Sequence, residues 1–378
     1  MAGSGLRDDR ARDWDITSNP VESGRRVLRP IKLAPLPVMP LVSVLVTSHN
    51  YVKYIRECIK GVVRQSYSRL ELVIADDGST DESADVIAGL ASEDSRIRLV
   101  VGGNRGMSAA LNTAWKVCRG DIICLLDADD TFCPGKLEAV VRAFQSYPQV
   151  GYVIHRAFRT DAYGRRRGVL PLFKSPPSGW CADRVLASGG VLADVPPTSN
   201  LSFRREIMEK IFPLHEDFRG YGELMIQRLA PLLTNILGLK QALATWRYHG
   251  DNDGNSLRLE DWRLEREIRL MEKLWERQKD FLEANAPCAA PALAPITQSE
   301  YYCRLRYISA RRNSVAVDGV LHSLLLNAPE FHERPLLDRY FWYIAPWLPH
   351  CVINHILDIS MTQNRGKELI SHILRIGS

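Results

Sequence analysis

At 378 residues with a formal net charge of +5, the chain is long enough for one main domain plus an accessory unit. No block of Lys and Arg is long enough to track a phosphate backbone, which argues against a nucleic-acid partner. The eight cysteines are scattered without any Cys-x-x-Cys, so a zinc ribbon or disulfide framework is excluded and reduced thiols in a cytoplasmic protein are expected.

Residues 1–40 are expected to form a loosely ordered N-terminal arm. Arg7-Asp-Asp-Arg-Ala-Arg-Asp13 is charged where a signal peptide would be apolar, and Pro30, Pro35, Pro37 and Pro40 favour an extended chain. A first buried strand, Val42–Val46, stops at Thr47-Ser-His-Asn50. Val52, Ile55, Ile59, Val62 and Val63 then recur at helical spacing. Leu70–Ala75 is a second strand ending in Asp76-Asp-Gly-Ser-Thr-Asp81, where Gly78 permits a turn and Ser79 or Thr80 can cap a helix beginning near Glu82. Ile97–Val101 is a short third strand. The glycines of Gly102-Gly-Asn-Arg-Gly106 do not match Gly-x-Gly-x-x-Gly, and the Walker pattern is absent, which argues against a dehydrogenase or P-loop enzyme. Met107, Ala110, Leu111, Ala114 and Trp115 mark the next helix. Ile122–Leu126 is a fourth buried strand that stops at Asp127-Ala-Asp-Asp130, before a helix that starts at Pro134 and for which Asp130 is the expected cap.

Val- and Ile-rich strands alternating with amphipathic helices predict an α/β fold with a doubly wound, mainly parallel sheet. Such sheets bind ligands beyond the carboxyl ends of their strands, so the polar strand ends should meet at one crevice. Asp127 and Asp129 lie two residues apart and therefore on one side of an extended chain. Carboxylates paired at the rim of a buried sheet need a cation between them, and Mg²⁺ or Mn²⁺ bridging a diphosphate suits an all-oxygen set.

Beyond Tyr147 the pattern loosens. Val150–Arg159 and the segment around Val169 flank Asp161-Ala-Tyr-Gly164, a hairpin turn, with Arg165-Arg-Arg167 as a solvated part of that turn. Gly189-Gly190, Pro196-Pro197 and Thr198-Ser-Asn200 suggest loops over the crevice. Gly222–Ala230 is a helix that leads into strand segments 236–239 and 242–248. Leu257–Leu282 is a charged amphipathic helix whose stripe Leu264, Ile268, Met271, Trp275 and Leu282 either packs on the main domain or forms a homodimer seam. Residues 286–295 form a linker, and the remainder is helical from the basic aromatic run Tyr301–Tyr307 onward. Residues 340–357 lack charge but are interrupted by Pro346, Pro349 and His350, so a core or membrane-interface segment is expected there rather than a span.

Five pieces, Ser43-Val-Leu-Val-Thr-Ser-His-Asn-Tyr51, Arg64-Gln-Ser-Tyr67, Val73–Asp81, Asn104-Arg-Gly106 with Asn112, and Leu126-Asp-Ala-Asp-Asp130, occur in the order and at the intervals that resemble the nucleotide-binding half of a family 2 glycosyltransferase. The resemblance implies the GT-A fold and an inverting transferase that takes a sugar from a nucleotide-diphosphate donor to a glycan or lipid-linked hydroxyl. It places the catalytic domain at 41–256 and leaves 257–378 as a C-terminal helical extension. Carried over by position, Thr47, His49, Asn50, Asp77 and Arg105 would hold the nucleotide. Asp77 would accept from the imide N–H of uracil or thymine, unless it only caps the following helix. His49 stands where a tyrosine is usual. Asp127 would touch ribose or metal, Asp129 would be the main ligand to Mg²⁺ or Mn²⁺, and His249 of His249-Gly-Asp-Asn252 would complete the metal shell or serve structurally.

An inverting reaction needs a base for the acceptor hydroxyl. By its place before Leu229-Ala-Pro-Leu-Leu233 that base is Glu223, with Asp217 and Glu216 as rivals. The Gln-x-x-Arg-Trp motif of processive polysaccharide synthases is missing, which fits transfer of one or a few sugars in cell-surface polysaccharide or glycoconjugate synthesis, in the cytoplasm or at the inner membrane face. The competing classes are a silent nucleotide-sugar or glycan-binding module and a scaffold that acts through its C-terminal helices.

Overall fold

The computed structural model describes residues 28–170, 176–249, 261–313, 319–328, 331, 339, 342, 343 and 345. The first half alternates strictly: β1 (Val42–Ser48), α1 (Ile55–Val63), β2 (Leu70–Asp76), α2 (Ser83–Glu93), β3 (Ile97–Val101), α3 (Met107–Val117), β4 (Ile122–Asp127) and α4 (Lys136–Ser146). The four strands are parallel in the order β3-β2-β1-β4, as the doubly wound pattern requires. Side chains divide by the period of two: Val42, Val44 and Val46 face the layer that holds α1 and α4, while Leu45 faces α3. Burial on both faces explains why these strands read as continuous apolar runs. Polar Ser43 and Glu71 are tolerated inside because Ser43 Oγ donates to Glu71 Oε1 at 2.6 Å, while Gly120 N donates to Ser43 Oγ at 2.7 Å.

The second half departs from strict alternation. β5 (Val150–Thr160) and β6 (Arg166–Leu170) form the expected hairpin, closed by Gly164 N donating to Asp161 O at 2.9 Å with Gly164 at φ +76°. After α5 (Ala182–Ala187), the short β7 (Leu201–Arg204) runs antiparallel between β4 and β5. α6 (Arg205–Ile211) and α7 (Gly222–Leu233) follow, and β8 (Asn235–Arg247) then pairs parallel along the whole of β5. These eight strands form one mixed, mostly parallel sheet among the described residues. Helices α8 (Asp261–Asn285), α9 (Glu300–Arg312) and α10 (Gly319–Asn327) follow among the described residues.

The amphipathic stripe of α8 is consumed inside the chain. Leu274 and Leu282 join the core under α7, and Leu264, Ile268 and Met271 join a separate cluster with Tyr302, Leu305 and Ile308 of α9. The expected linker is also packed, with Ala289 and Leu293 buried and Trp275 Nε1 donating to Ala294 O at 2.9 Å.

Three expectations need correction. Residues 28–40, expected to be loosely ordered, are fastened: Leu28, Ile31 and Leu33 pack on the core, Ile31 N donates to Leu233 O at 2.8 Å, and Tyr67 Oη donates to Pro40 O at 2.5 Å. Apolar residues between the prolines give the extended segment something to bury. Neither Ser79 nor Thr80 caps α2; Asp81 Oδ1 accepts from Ser83 N at 3.0 Å, while Ser79 Oγ donates to Asp76. Asp130 does not cap α4, because Gly135 at φ +77° starts that helix later and Asp130 turns inward. The rest of the N-terminal arm, and nearly all of the 340–357 segment, lie outside the described residues. The seven cysteines among the described residues are all free thiols, and no helix among those residues is long and apolar enough to cross a membrane.

Candidate active site

The register of β1 sets Thr47 beside both Ala75 and Asp127, so the carboxyl ends of the three central strands finish level. At the end of β2, Asp76 closes a turn by accepting from Ser79 N at 2.9 Å. Gly78 has φ +72°, and a Cβ there would meet Asn104 N at 3.0 Å, so the turn requires glycine. The β1 and β2 ends brace one another. Asn50 Oδ1 accepts from Thr80 N at 2.7 Å, and His49 Nδ1 donates to Asp77 O at 3.0 Å, leaving Nε2 to accept from Asn50 Nδ2 at 3.3 Å. Asn50 and His49 are thus engaged in shaping the rim.

Asp77 caps no part of α2. Its carboxylate accepts from Arg105 N at 2.8 Å and Gly106 N at 2.5 Å, which fixes the loop before α3. A carboxylate has room for a further donor, and Asp77 lines a cavity of about 180 Å³ with Asp76, Gly102, Gly103, Arg105 and Thr113. The Arg105 guanidinium pairs with Glu216 at the surface, so Glu216 is neutralised by a neighbour.

The Asn104-Arg-Gly106 and Asn112 pieces position the opposite wall. Gly106 has φ +98°, and a Cβ there would lie 2.5 Å from Arg219. Met107 N donates to Arg219 O at 2.5 Å, and Asn112 exchanges two hydrogen bonds with the Leu214 backbone at 2.7 and 2.8 Å. A Cβ on Gly222 would meet Ser108 Oγ at 2.6 Å. This close approach carries the first turn of α7 toward the end of β4. There Glu223 is 8% exposed, and its Oε2 has no hydrogen-bond partner among the described residues. Burial pushes its carboxyl up to about 7, and it lies close enough to Asp127 to raise that residue's pKa as well.

Asp127-Ala-Asp-Asp130 is crowded. Asp127 is raised well above the ordinary carboxylate range, first by burial and then by the charges of Asp130 and Asp129; Asp130 is raised likewise by burial and by Asp129. Asp129 Oδ2 accepts from His249 Nε2 at 2.9 Å, and the His249 ring stacks on Tyr54 at 4.6 Å. No group of three or more His, Cys, Asp or Glu among the described residues forms a ready metal cage. Mutually repelling carboxylates with one imidazole still fit a divalent cation, because Mg²⁺ and Mn²⁺ take few protein ligands and fill the rest with water and phosphate.

Four supporting residues were not assigned from the sequence. Arg247 donates through Nε to Asp129 O at 2.8 Å and through Nη2 to Glu57 at 2.7 Å, and its N donates to Asp130 Oδ1 at 2.8 Å. Its place two residues before His249, on the same side of an extended chain, was the available signal. Thr198 hydrogen-bonds the Asp127 side chain. Ser199 Oγ donates to Asp130 Oδ2 at 2.5 Å and accepts from Asp127 N at 3.0 Å. Below it, buried Lys136 donates from Nζ to Ser199 O at 2.8 Å, with its pKa lowered to about 7 by burial. Ser199→Ala leaves Asp130 buried among like charges without its hydroxyl donor. The expected loss is about 1–3 kcal/mol of stability, measured by urea unfolding; an unchanged midpoint would remove this network from the account.

The rival base Asp217 is half-exposed and pairs with Lys273 at 2.9 Å, Arg277 at 3.7 Å and His215 at 3.3 Å. The Lys273 hydrogen bond chiefly holds its carboxyl below the ordinary range, which makes it a weak proton acceptor.

A mainly parallel sheet with level polar strand ends, an acidic pair closing the central strand and an antiparallel β7 inserted beside it define the GT-A class of nucleotide-sugar enzymes. Residues 43–212 match the model of glycosyl transferase family 2, and this segment belongs to that family. An uncharacterized glycosyltransferase of Nostoc sp. is 34% identical over 214 residues, covering 56% of this chain and 66% of the relative. Chondroitin synthase of Escherichia coli is 36% identical over 115 residues, 30% of this chain and 17% of the relative. The chain therefore spans at most about two-thirds of these relatives' lengths. The crystal structure of S. aureus TarS 1-349 superposes with a TM-score of 0.51 at 15% identity, covering 86% of this chain and 92% of that one, which is a likeness of fold.

Proposed function

We propose that the protein is an inverting glycosyltransferase that moves a sugar from a nucleoside-diphosphate donor to a hydroxyl of a glycan or lipid-linked acceptor, in polysaccharide or glycoconjugate synthesis. The observation that carries this reading is Glu223, a buried carboxyl raised to about 7 beside the acidic end of β4, with one oxygen unpartnered among the described residues. The catalytic unit is assigned to 41–256, with 257–378 as an extension braced against α7 through α8.

The nucleotide is assigned to the rim formed by Thr47, His49, Asn50, Asp77 and Arg105. Asp77, held by two backbone N–H groups and facing the adjoining cavity, would accept the imide N–H of uracil or thymine. Asp129, Asp127 and His249 would hold the metal. When bound, Mg²⁺ or Mn²⁺ would spread the charge of the leaving diphosphate. Arg247 and Ser199 fix the acidic turn so that its carboxylates need no rearrangement when the donor arrives. Glu223 takes the acceptor proton: its pKa near 7 leaves roughly half of it ionised at neutral pH and makes the ionised form basic enough to receive a proton from a hydroxyl under attack.

UDP or dTDP with Mn²⁺ is expected to protect against thermal unfolding more than ADP or CDP does, by about 3 kcal/mol at a hundredfold excess over Kd. A melting-temperature panel reads this directly. Equal protection by ADP would mean that Asp77 does not read the base, and no protection by any nucleoside diphosphate would favour a scaffold.

A further inference from the structure

The β5–β6 hairpin carries more positive charge than its turn requires. Between Phe158 and Arg167 lie Arg159, Arg165, Arg166 and Arg167 against one acid, Asp161. Asp161 is already used: its Oδ1 accepts from Tyr163 N and Arg165 N at 3.0 Å each, and its Oδ2 accepts from Arg167 Nη2 at 2.6 Å. Arg165 and Arg166 are exposed and have no carboxylate at ion-pair distance among the described residues. Each lies near a ring, Arg166 3.8 Å from the Phe158 centroid and Arg165 5.8 Å from that of Tyr163, which is itself 84% exposed. A guanidinium beside a ring and without a carboxylate partner keeps N–H donors for a further acceptor, which suits two-point recognition of a carboxylate or phosphate.

The hairpin tip is also joined to the reaction centre. Arg247 donates through Nε to Asp129 O at 2.8 Å and through Nη1 to Ala162 O at 3.3 Å, and Tyr248 N donates to Thr160 O at 2.9 Å. One side chain thus spans from the acidic turn to the hairpin turn. The hairpin tip that carries Arg165 and Arg166 therefore adjoins the acidic turn, toward the opposite edge of the sheet from β2 and the nucleotide rim around Asp77.

We propose that the Arg165–Arg166 edge binds the acidic part of the acceptor, a glycan that carries carboxylate or phosphate groups near the hydroxyl to be glycosylated. This rests on the glycosyl-transfer reading and narrows its acceptor class. The tether through Arg247 favours an acceptor over a membrane surface, because it couples the cations to the reacting end of the sheet rather than to a separate face.

The test measures binding of fluorescently labelled tetragalacturonate to the intact protein by polarisation, with maltotetraose as the neutral probe. Vesicles of equal parts phosphatidylcholine and phosphatidylglycerol are the lipid probe. The acidic oligosaccharide should bind in a salt-sensitive way, the neutral one should not, and the R165Q/R166Q double variant should weaken binding by about tenfold or more. R142Q, an exposed arginine on α4, should bind like the parent. Unchanged melting temperatures show that the variants fold. Equal binding by the double variant, or no preference for the acidic probe, overturns the proposal, as does capture by the anionic vesicles alone. If UDP and dTDP still protect the protein in that case, only the acceptor assignment falls; if they do not, the transferase reading falls instead.

Discussion

Asp129→Ala is expected to abolish sugar transfer and most metal-dependent donor affinity while leaving the protein folded. Asp129 stands at the centre of the acidic turn, and its charge helps to raise the pKa of both Asp127 and Asp130. Removing it relieves like-charge repulsion but also takes the acceptor from buried His249 Nε2, so the two effects oppose one another and the variant should stay folded at neutral pH. The same crowding gives a pH dependence. The folded-state pKa of Asp127 lies well above its ordinary value of 3.8. The unfolded chain therefore releases these protons first as pH rises, and stability falls through the window above that value. A divalent cation favours the ionised form, so protection by Mn²⁺ should grow from pH 5 to pH 8 in the parent and be largely lost in Asp129→Ala. Calorimetric titration of Mn²⁺ with UDP, alongside turnover, checks both statements. Near-normal turnover in the variant would remove the metal assignment.

Glu223→Gln should lower kcat by roughly 10²- to 10⁴-fold, the usual size of a general-base contribution, with donor affinity nearly unchanged. Glutamine keeps the shape of the side chain in its buried place on α7 but cannot take a proton. The parent's rate should rise with pH through about 7, where Glu223 loses its proton, and this limb should vanish in the variant. An ionised carboxylate held inside the protein also opposes folding above that pH, so Glu223→Gln should melt higher than the parent at pH 8. Asp217→Asn is the control, since Asp217 already lies in a cluster with Lys273, Arg277 and His215. If Asp217→Asn stops turnover and Glu223→Gln does not, the base has been misplaced.

Local pattern carried the first half of the fold. β3 falls at Ile97–Val101 as the sequence suggested, because a short apolar run between polar turns has few alternatives, and the hairpin at Asp161–Gly164 follows from turn chemistry. Capping was less legible. Ser79 and Thr80 are both chemically able to cap α2, yet Asp76 and Asn50 take them, and Glu82 stands at the N-cap position with no side-chain cap bond. The Asn104-Arg-Gly106 and Asn112 pieces could be recognised as a motif but not explained. Their work is to let α3 approach the 214–222 segment, a contact between residues about a hundred positions apart.

The residue types and the strand-end positions of Asp77, Asp127 and Asp129 were fixed by the sequence alone, since a period-two strand that ends in carboxylates can present them at only one edge of a parallel sheet. Which carboxylate is free to act was decided by tertiary structure. Glu216, Asp217 and Glu223 lie within eight residues of one another, and in the sequence only the family resemblance through Leu229-Ala-Pro-Leu-Leu233 singled out Glu223. In the fold, Arg105 pairs with Glu216, α8 supplies Lys273 and Arg277 to Asp217, and the glycine contacts of α3 bury Glu223 with one oxygen unpartnered among the described residues. Desolvation and the identity of neighbours set a pKa, and both are properties of packing between elements distant in sequence, which no local pattern encodes.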